Sequence, residues 1–466
     1  MTGLDILATR PGPAQPRAYH FPAFVRARLA NGLTVITAHL PGRPLLAAHL
    51  HLEGGAGEEP SEMAGVSALL ARALPEGTAH HDAVELVEAG ERLGAELHAQ
   101  VGWETLAVAL DVPRRHFGPA LALLAEMFLQ PSFPGHEVDR LRDERMNDLL
   151  QAAAEPRRRV ERAFAEAIYA PGVPYARLLG GDELTVPRLT REALVARHAR
   201  FLDASSATLI VAGDLTGVPV VELAEAHLGE WPGVVRVGAP AVRPRLSDGP
   251  GSPRIVVVDR PGAPQSELRI GHVGVPRKIP DFHAVAVMSA ILGGLFNSRL
   301  QRLLREERGY TYGISAGFDF RRSAGPFAVR SAVQTEVCAA AVMDILAELR
   351  RIREAPITAD ELRAAQDFLI GVFPLRFETA AQVVGAITGL VVHDLPDDEL
   401  DRYRPAVAAL DAGAVLAAAL EHIHPDGLSI VMVGDAERVV PDLEAAGMGA
   451  IEVVRDGVRE PPAGEG

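Results

Sequence analysis

At 466 residues, 48% hydrophobic and 23% charged, the chain is ordinary globular material with enough length for two or more cores, which excludes the low-hydrophobicity, high-charge pattern of disorder. The formal net charge is −15, and the 46 Lys+Arg are scattered among acidic neighbours instead of forming a stripe, which argues against nucleic acid as a partner. Cys338 is the single cysteine, so an intrachain disulfide framework and a cysteine-rich zinc site are excluded, and a reducing compartment is the simpler reading.

Residues Met1 to Pro22 carry Pro11, Pro13 and Pro16 and no apolar run of signal-peptide length. No later uninterrupted apolar stretch reaches about 18 residues. The expectation is a cytoplasmic chain with no membrane partner. A strand pair follows through Leu33–Leu52, and then helices over Ser61–Leu74, Asp82–Leu93, His116–Met127 and His136–Ile168. In the first of these, Val66, Leu69, Leu70 and Ala73 fall at i, i+3, i+4 and i+7, and Pro75 and Gly77 stop the helix. His80-His81 open the second beside Asp82 and Glu85, a capping pair, and read as solvated surface. The run Ala207-Thr-Leu-Ile-Val-Ala-Gly-Asp214 is a buried strand closed by Gly-Asp.

Between Pro232 and Pro253 a cluster of Gly and Pro interrupts every periodic pattern, which marks a linker over 232–253. Beyond it come a strand pair through Ile255–Val275 and helices over Asp281–Arg308 and Val333–Arg353. The imidazoles of His422-Ile-His424, in a loop before a strand, read as surface like His80-His81. The closing strand, Leu428-Ser-Ile-Val-Met-Val-Gly-Asp435, repeats the Gly-Asp ending roughly 220 residues after the first, a spacing too long for a solenoid and suited to a duplicated domain. The expected architecture is α+β, two tandem homologous α/β sandwich domains over 1–231 and 254–466.

The segments Gly54-Gly-Ala-Gly-Glu-Glu-Pro60, Gly65-Val-Ser-Ala-Leu-Leu-Ala-Arg72 and Glu76-Gly-Thr78, together with Leu292-Gly-Gly-Leu-Phe-Asn-Ser-Arg-Leu300 and Leu304-Arg-Glu-Glu-Arg-Gly-Tyr-Thr-Tyr312, resemble the pitrilysin (inverzincin) peptidases over nearly the whole chain. In that family the first helix carries His-x-x-Glu-His, whose two imidazoles share a helical face and reach one Zn²⁺ beside a carboxylate base. Here the matching window is Ala68-Leu-Leu-Ala-Arg72. Ala68 and Arg72 stand at the ligand positions and Ala71 at the base. The third ligand, a Glu in the family, falls on Gln151 or, with a small gap, on Asp148. The resemblance therefore implies a degenerate metal helix and no metal in this chain.

The same resemblance implies an oxyanion-stabilising Arg and, seven residues on, a Tyr in the second half, and Arg305 and Tyr312 match that spacing. By pattern, Arg305 lies in the last turn of a helix with Leu300, Leu303 and Leu304 on its apolar face, Gly309 caps it, and Tyr312 begins a buried strand with both side chains within reach of one cleft. Tyr310 shares that sheet face, and the family spacing alone chooses between the two tyrosines. Either residue alone is ordinary: an Arg suits a helix C-terminus and a Tyr suits a strand. Arg299 and Arg302 are further candidates to hold carboxylates, and a solvated helix face explains them equally well. Gly293-Gly294 is much shorter than the glycine-rich loop of mitochondrial processing peptidase alpha subunits, and is more similar to bacterial two-chain peptidases.

What the resemblance implies is the zinc-free subunit of a heterodimeric metallopeptidase, with zinc in a homologous partner subunit and an extended peptide added to a sheet edge as substrate. A catalytically inactive assembly or peptide-binding protein of the same fold competes with it. An autonomous hydrolase of different chemistry ranks last, and Cys338 has no neighbouring His in sequence.

Overall fold

The computed structural model describes residues 17–231 and 254–455, with the backbone of 458–460. The expected linker, 232–253, and most of the proline-rich N-terminus lie outside the described residues. The first half contributes strands β1 (Phe24–Arg28), β2 (Thr34–His39), β3 (Leu45–Glu53), β4 (Glu96–Val101), β5 (Thr105–Pro113) and β6 (Ala207–Gly213). Its helices are α1 (Val66–Ala73), α2 (Ala83–Leu93), α3 (Phe117–Leu129), α4 (Gly135–Ala154), α5 (Pro156–Ile168), α6 (Arg191–Ala199) and α7 (Val220–Leu228). The second half contributes β7 (Ile255–Asp259), β8 (Gln265–Val273), β9 (Ile314–Phe318), β10 (Pro326–Gln334), β11 (Ser429–Gly434), β12 (Ile451–Arg455) and β13 (Val458–Glu460). Its helices are α8 (Phe282–Ser289), α9 (Cys338–Glu354), α10 (Ala359–Val372), α11 (Ala380–Val392), α12 (Glu399–Ala408), α13 (Ala412–His422) and α14 (Ala436–Ala445).

The duplication is visible in the sheets. The first runs β1-β2-β6-β3-β5-β4 and the second β13-β12-β7-β11-β8-β10-β9. In each, the strand closed by Gly-Asp is central, parallel to the first long strand (β2 or β7) and antiparallel to the next (β3 or β8). Gly213 has φ +134, and a Cβ there would lie 2.4 Å from the Leu46 side chain, so the strand turns off where only glycine fits.

Alternation in β3 decides which face meets which core. Leu46, Ala48, Leu50 and Leu52 pack under α1 and α3, while Ala47 turns to the opposite face with His49, His51 and Glu53. That opposite face is covered by the other half: Val383, Val384 and Ile387 of α11 share a core with Ile36, Ala38, Ala47, Ile210 and Ala212. The reciprocal holds for α5, whose Val160, Phe164 and Ile168 lie on Val256, Val431 and Val433 of the second sheet. Each half thus lends one helix to the other.

The expected single helix over His136–Ile168 is two helices. Pro156 has no N–H to continue α4, and instead occupies the first turn of α5, where that donor is not needed. The expected helix over Asp281–Arg308 is likewise broken: α8 passes into a π-helical stretch, Ala290–Gly294, and after a short loop the chain resumes with a second, Gln301–Glu307. The expected start of the next helix at Val333 is corrected too, because Val333 and Gln334 finish β10 and α9 begins at Cys338. Cys338 is buried against Met432, and burial pushes its thiol up to about 12. Among the described residues no single helix is long and apolar enough to cross a membrane.

Three histidines, His49, His272 and His393, are held down to about 4, in each case chiefly by burial. Neighbouring imidazoles His98 and His51 add to this at His49, as do Arg277 and Arg322 at His393. Between pH ~6.5 and ~4 the unfolded chain therefore binds more protons than the native one, so stability falls as pH drops through that window. The chemical-denaturation midpoint is expected to decline over this range, and His49→Gln to make the decline shallower. An unchanged slope would remove His49 as a contributor.

Candidate functional site

The helix at the metal position is well built. Gly65, with φ +94, turns the chain into α1, and the buried Glu59 carboxylate accepts from the Gly65 N–H at 2.9 Å and the Ser67 N–H at 2.6 Å. Those are amide donors that a helix leaves open at its N-terminus, so Glu59 caps α1 and offsets its dipole. Burial raises the Glu59 carboxyl, opposed by these amide bonds and by Arg197, which holds Ser67 Oγ at 2.8 Å.

Ala68 and Arg72 fall one turn apart and line a cavity of about 250 Å³ with Arg145, Asp148 and Gly180. Ala71 is buried and offers only a methyl group. Asp148 is in this lining, whereas Gln151 is exposed at the end of α4 and outside it.

A lattice of ion pairs surrounds this position. Arg72 meets Glu144 at 2.5 Å, and Arg140 bridges Glu144 at 2.5 Å and Glu76 at 2.8 Å. Asp148 is held by Arg158 at 2.7 and 2.9 Å and by Arg145, whose guanidinium also donates to the carbonyls of Gly180 and Gly181. The Arg158 hydrogen bonds keep the Asp148 carboxyl below its ordinary range. A zinc ion needs about four N, O or S donors. Here two positions are methyl groups, one is a permanent cation, and the nearby carboxylate is committed to two guanidinium groups. The residues do not fit the metal. Elsewhere among the described residues no group of three or more His, Cys, Asp or Glu is placed to hold one. His81 pairs with Glu126 at 2.8 Å beside the Asp82–Glu85 capping box, and His422 pairs with Asp281 at 2.7 Å.

In the second half, Arg305 lies in the second π-helical stretch, a geometry that recurs at functional sites because it re-aims side chains. Leu300 and Leu304 anchor this stretch in the core, and Gly309 follows with φ +68. Gly293, in the first π stretch, is obligatory: a Cβ would sit 2.3 Å from the Ala316 amide of β9. The loop between the two stretches carries Phe296, 76% exposed, and the Arg305 guanidinium stacks 4.0 Å from the centre of its ring while donating to Glu306.

Tyr312 departs from expectation. It precedes β9 by two residues and is 93% exposed, so it is not a buried strand residue, and no hydrogen bond joins it to Arg305. The Gly309 turn and the Thr311 hydroxyl, bonded to the carbonyls of Gly313 and Ala332, hold this segment outside the sheet. Tyr310 instead packs against the core. Arg299 is a structural residue, paired with Glu361 at 2.6 Å and Glu348 at 3.4 Å, while Arg302 is exposed beside Glu307. Phe296 had no signal in the sequence beyond its place after Gly293-Gly294.

Residues 34–178 match the family described as Insulinase (Peptidase family M16), and residues 188–369 match the Peptidase M16 inactive domain. An uncharacterized zinc protease of Mycobacterium tuberculosis is 28% identical over 375 residues, covering 80% of this chain and 84% of that protein. A non-peptidase homolog of Helicobacter pylori, YmxG, is 24% identical over 339 residues, covering 71% and 75%. Among solved structures, the peptidase M16 inactive domain from Pseudomonas fluorescens superposes with a TM-score of 0.79 at 24% identity, over 88% of this chain and 98% of that one. A protease from Helicobacter pylori gives 0.82 at 18% identity, over 89% and 100%. The first match spans β2 to β5 with the emptied helix α1, the second runs from α6 and β6 through β10 and α9, and the chain belongs to the M16, or pitrilysin, peptidase family.

Proposed function

We propose that this chain is the zinc-free subunit of a heterodimeric metallopeptidase, supplying Arg305 and Tyr312 to a zinc-bearing homologous partner. The observation that carries the reading is the exposure of Tyr312: a large aromatic side chain held in solvent by its own turn has no core to fill and is free to meet a substrate. Arg305, in the π-helical stretch that precedes that turn, is held on the Phe296 ring. In the proposed complex Arg305 steadies a substrate carbonyl and Tyr312 donates to the oxyanion that forms when water adds to the peptide bond. The partner's zinc supplies the activated water. Of the edge strands of the two sheets, β4 lies beside α1 and β9 follows just after Tyr312, and an extended peptide adds to one of these.

The test is reconstitution. The purified chain is expected to contain no stoichiometric zinc and to be inert, and peptide cleavage to appear on mixing with the zinc-bearing homologue. Near one tightly bound zinc per chain, or chelator-resistant cleavage by this chain alone, would overturn it. The ion lattice over the metal position favours a second reading, a peptide-binding or assembly protein with no catalytic partner, and that reading predicts no turnover on mixing.

A further inference from the structure

A pocket of about 230 Å³ lies where the two halves meet, walled by Trp103, Tyr169 and Tyr175 of the first half and by Arg321 and Arg330 of the second. Four arginines line it (Arg162, Arg177, Arg321 and Arg330) against two carboxylates, Glu161 and Asp319. Arg162 is answered by Glu166 and Glu183, and Arg177 is spent on the carbonyls of Ala56 and Glu59. Of the other two, Arg330 is under-compensated, while Arg321 is paired with Asp319 and keeps one open N–H. Arg330 on β10 stands directly opposite Arg269 on β8, a cross-strand pairing of like charges that is ordinarily avoided. They share Glu161, which gives its short contact, 2.8 Å, to Arg269 and leaves Arg330 at 3.8 Å, while Arg269 also meets Glu267 at 3.2 Å. Among the described residues the one other bond of Arg330 is a 3.5 Å contact to the Ala328 carbonyl. Burial accordingly holds its guanidinium below the usual arginine range. Arg321 gives Nε and Nη2 to Asp319, and its Nη1 is buried with no hydrogen-bond partner among the described residues.

The tyrosine hydroxyls of the aromatic wall are already engaged: Tyr169 Oη donates to the Ala324 carbonyl at 3.1 Å and Tyr175 Oη to Glu104, which leaves guanidinium N–H groups as the charged donors beside flat apolar surface. The Arg321 guanidinium stacks 4.5 Å from the Tyr175 ring centre and 5.5 Å from that of Trp103, which fixes its plane. Glu161, Arg162 and Leu178 also line a larger neighbouring cavity of about 990 Å³ under α4 and α5, which shares Arg145 with the emptied metal position.

We infer that this interhalf pocket is a carboxylate-binding site, taking a peptide carboxylate between Arg321 and Arg330 with an apolar group against Trp103 and Tyr175. It rests on the proposed reading only in taking peptide as the ligand, and needs neither the partner chain nor turnover. Planar guanidinium groups match a carboxylate in geometry, and a buried cation lacking its counter-charge gains most from one.

The experiment uses the full chain alone, titrated with the peptide Ala-Ala-Ala-Phe bearing a free carboxylate, its C-terminal amide, and N-acetyl-Ala-Glu-Ala-Phe-amide. Trp103 fluorescence and the melting temperature are the readouts, Trp231 being buried in the first core and constant. The free peptide is expected to change Trp103 emission and raise the melting temperature, and amidation to weaken it at least tenfold. Binding by the glutamyl amide alone would identify a side-chain carboxylate as the source. Arg330→Gln is expected to lose tenfold or more in affinity without lowering the melting temperature of the free chain, and Arg321→Gln is the second variant should the first not fold. Equal binding of acid and both amides, binding indifferent to both substitutions, inorganic phosphate binding as tightly as the peptide, or no binding by either carboxylate would each overturn the site. Because the chain is tested alone, an inert mixed complex sinks the proposed function and leaves this result standing.

Discussion

Tyr312→Phe is expected to lower turnover of the reconstituted complex by about 10²–10³, the usual cost of losing one oxyanion donor. The substitution removes a single hydroxyl from a side chain that is 93% exposed and makes no hydrogen bond among the described residues, so the melting temperature and the assembly of the dimer should not move. Arg305→Ala should also lower turnover, with some loss of loop order because Phe296 loses the cation stacked on it. Tyr310→Phe is the control: Tyr310 lies against the core, and its substitution should change activity far less. The quantities to measure are kcat and kcat/KM of the mixed complex, with zinc content of the partner held constant. Wild-type turnover in both the Tyr312 and Arg305 variants would make the pair structural and transfer support to the silent-scaffold reading.

Phe164→Ala is expected to destabilise the chain by about 3–5 kcal/mol, the range for emptying a large aromatic site in a packed core. Phe164 belongs to the first half by sequence, yet its ring lies against the second sheet, 2.9 Å from where a Cβ on Gly271 would stand. The cavity it leaves is therefore in the other half's core. Because α5 and α11 are exchanged between the halves, both sheets should lose protection together, in one transition, when hydrogen exchange is followed at β6 and β11. Early exchange at β11 with β6 unaffected would show that the halves unfold independently, contrary to what the exchanged helices require.

The sequence by itself determined the duplicated architecture and the lack of His and Glu at the positions of α1 that match the family motif. A buried strand needs only a short apolar run with a glycine end, so the pair ending at Gly213 and Gly434 is legible one strand at a time. The periodicity of Val66, Leu69, Leu70 and Ala73 is similarly local, and the loss of ligands at Ala68 and Arg72 is a fact about residue types that no folding can alter. Tertiary structure decided the rest. The chain direction after Pro156, which carries α5 onto the other half, depends on which surface is left open there, and the preference for Asp148 over Gln151 in the emptied cavity depends on the rotation of α4. Tyr312 read as a buried strand residue because its sequence pattern does not contain the Gly309 turn's consequence, a segment held outside the sheet by Thr311. The opposition of Arg269 and Arg330, and their shared Glu161, is set by strand register and by packing between halves, contacts whose partners lie far apart in the chain. Such contacts are fixed by the free energy of the whole core, where burial of many apolar side chains outweighs the cost of bringing a few like charges together, and a local pattern carries no record of that balance.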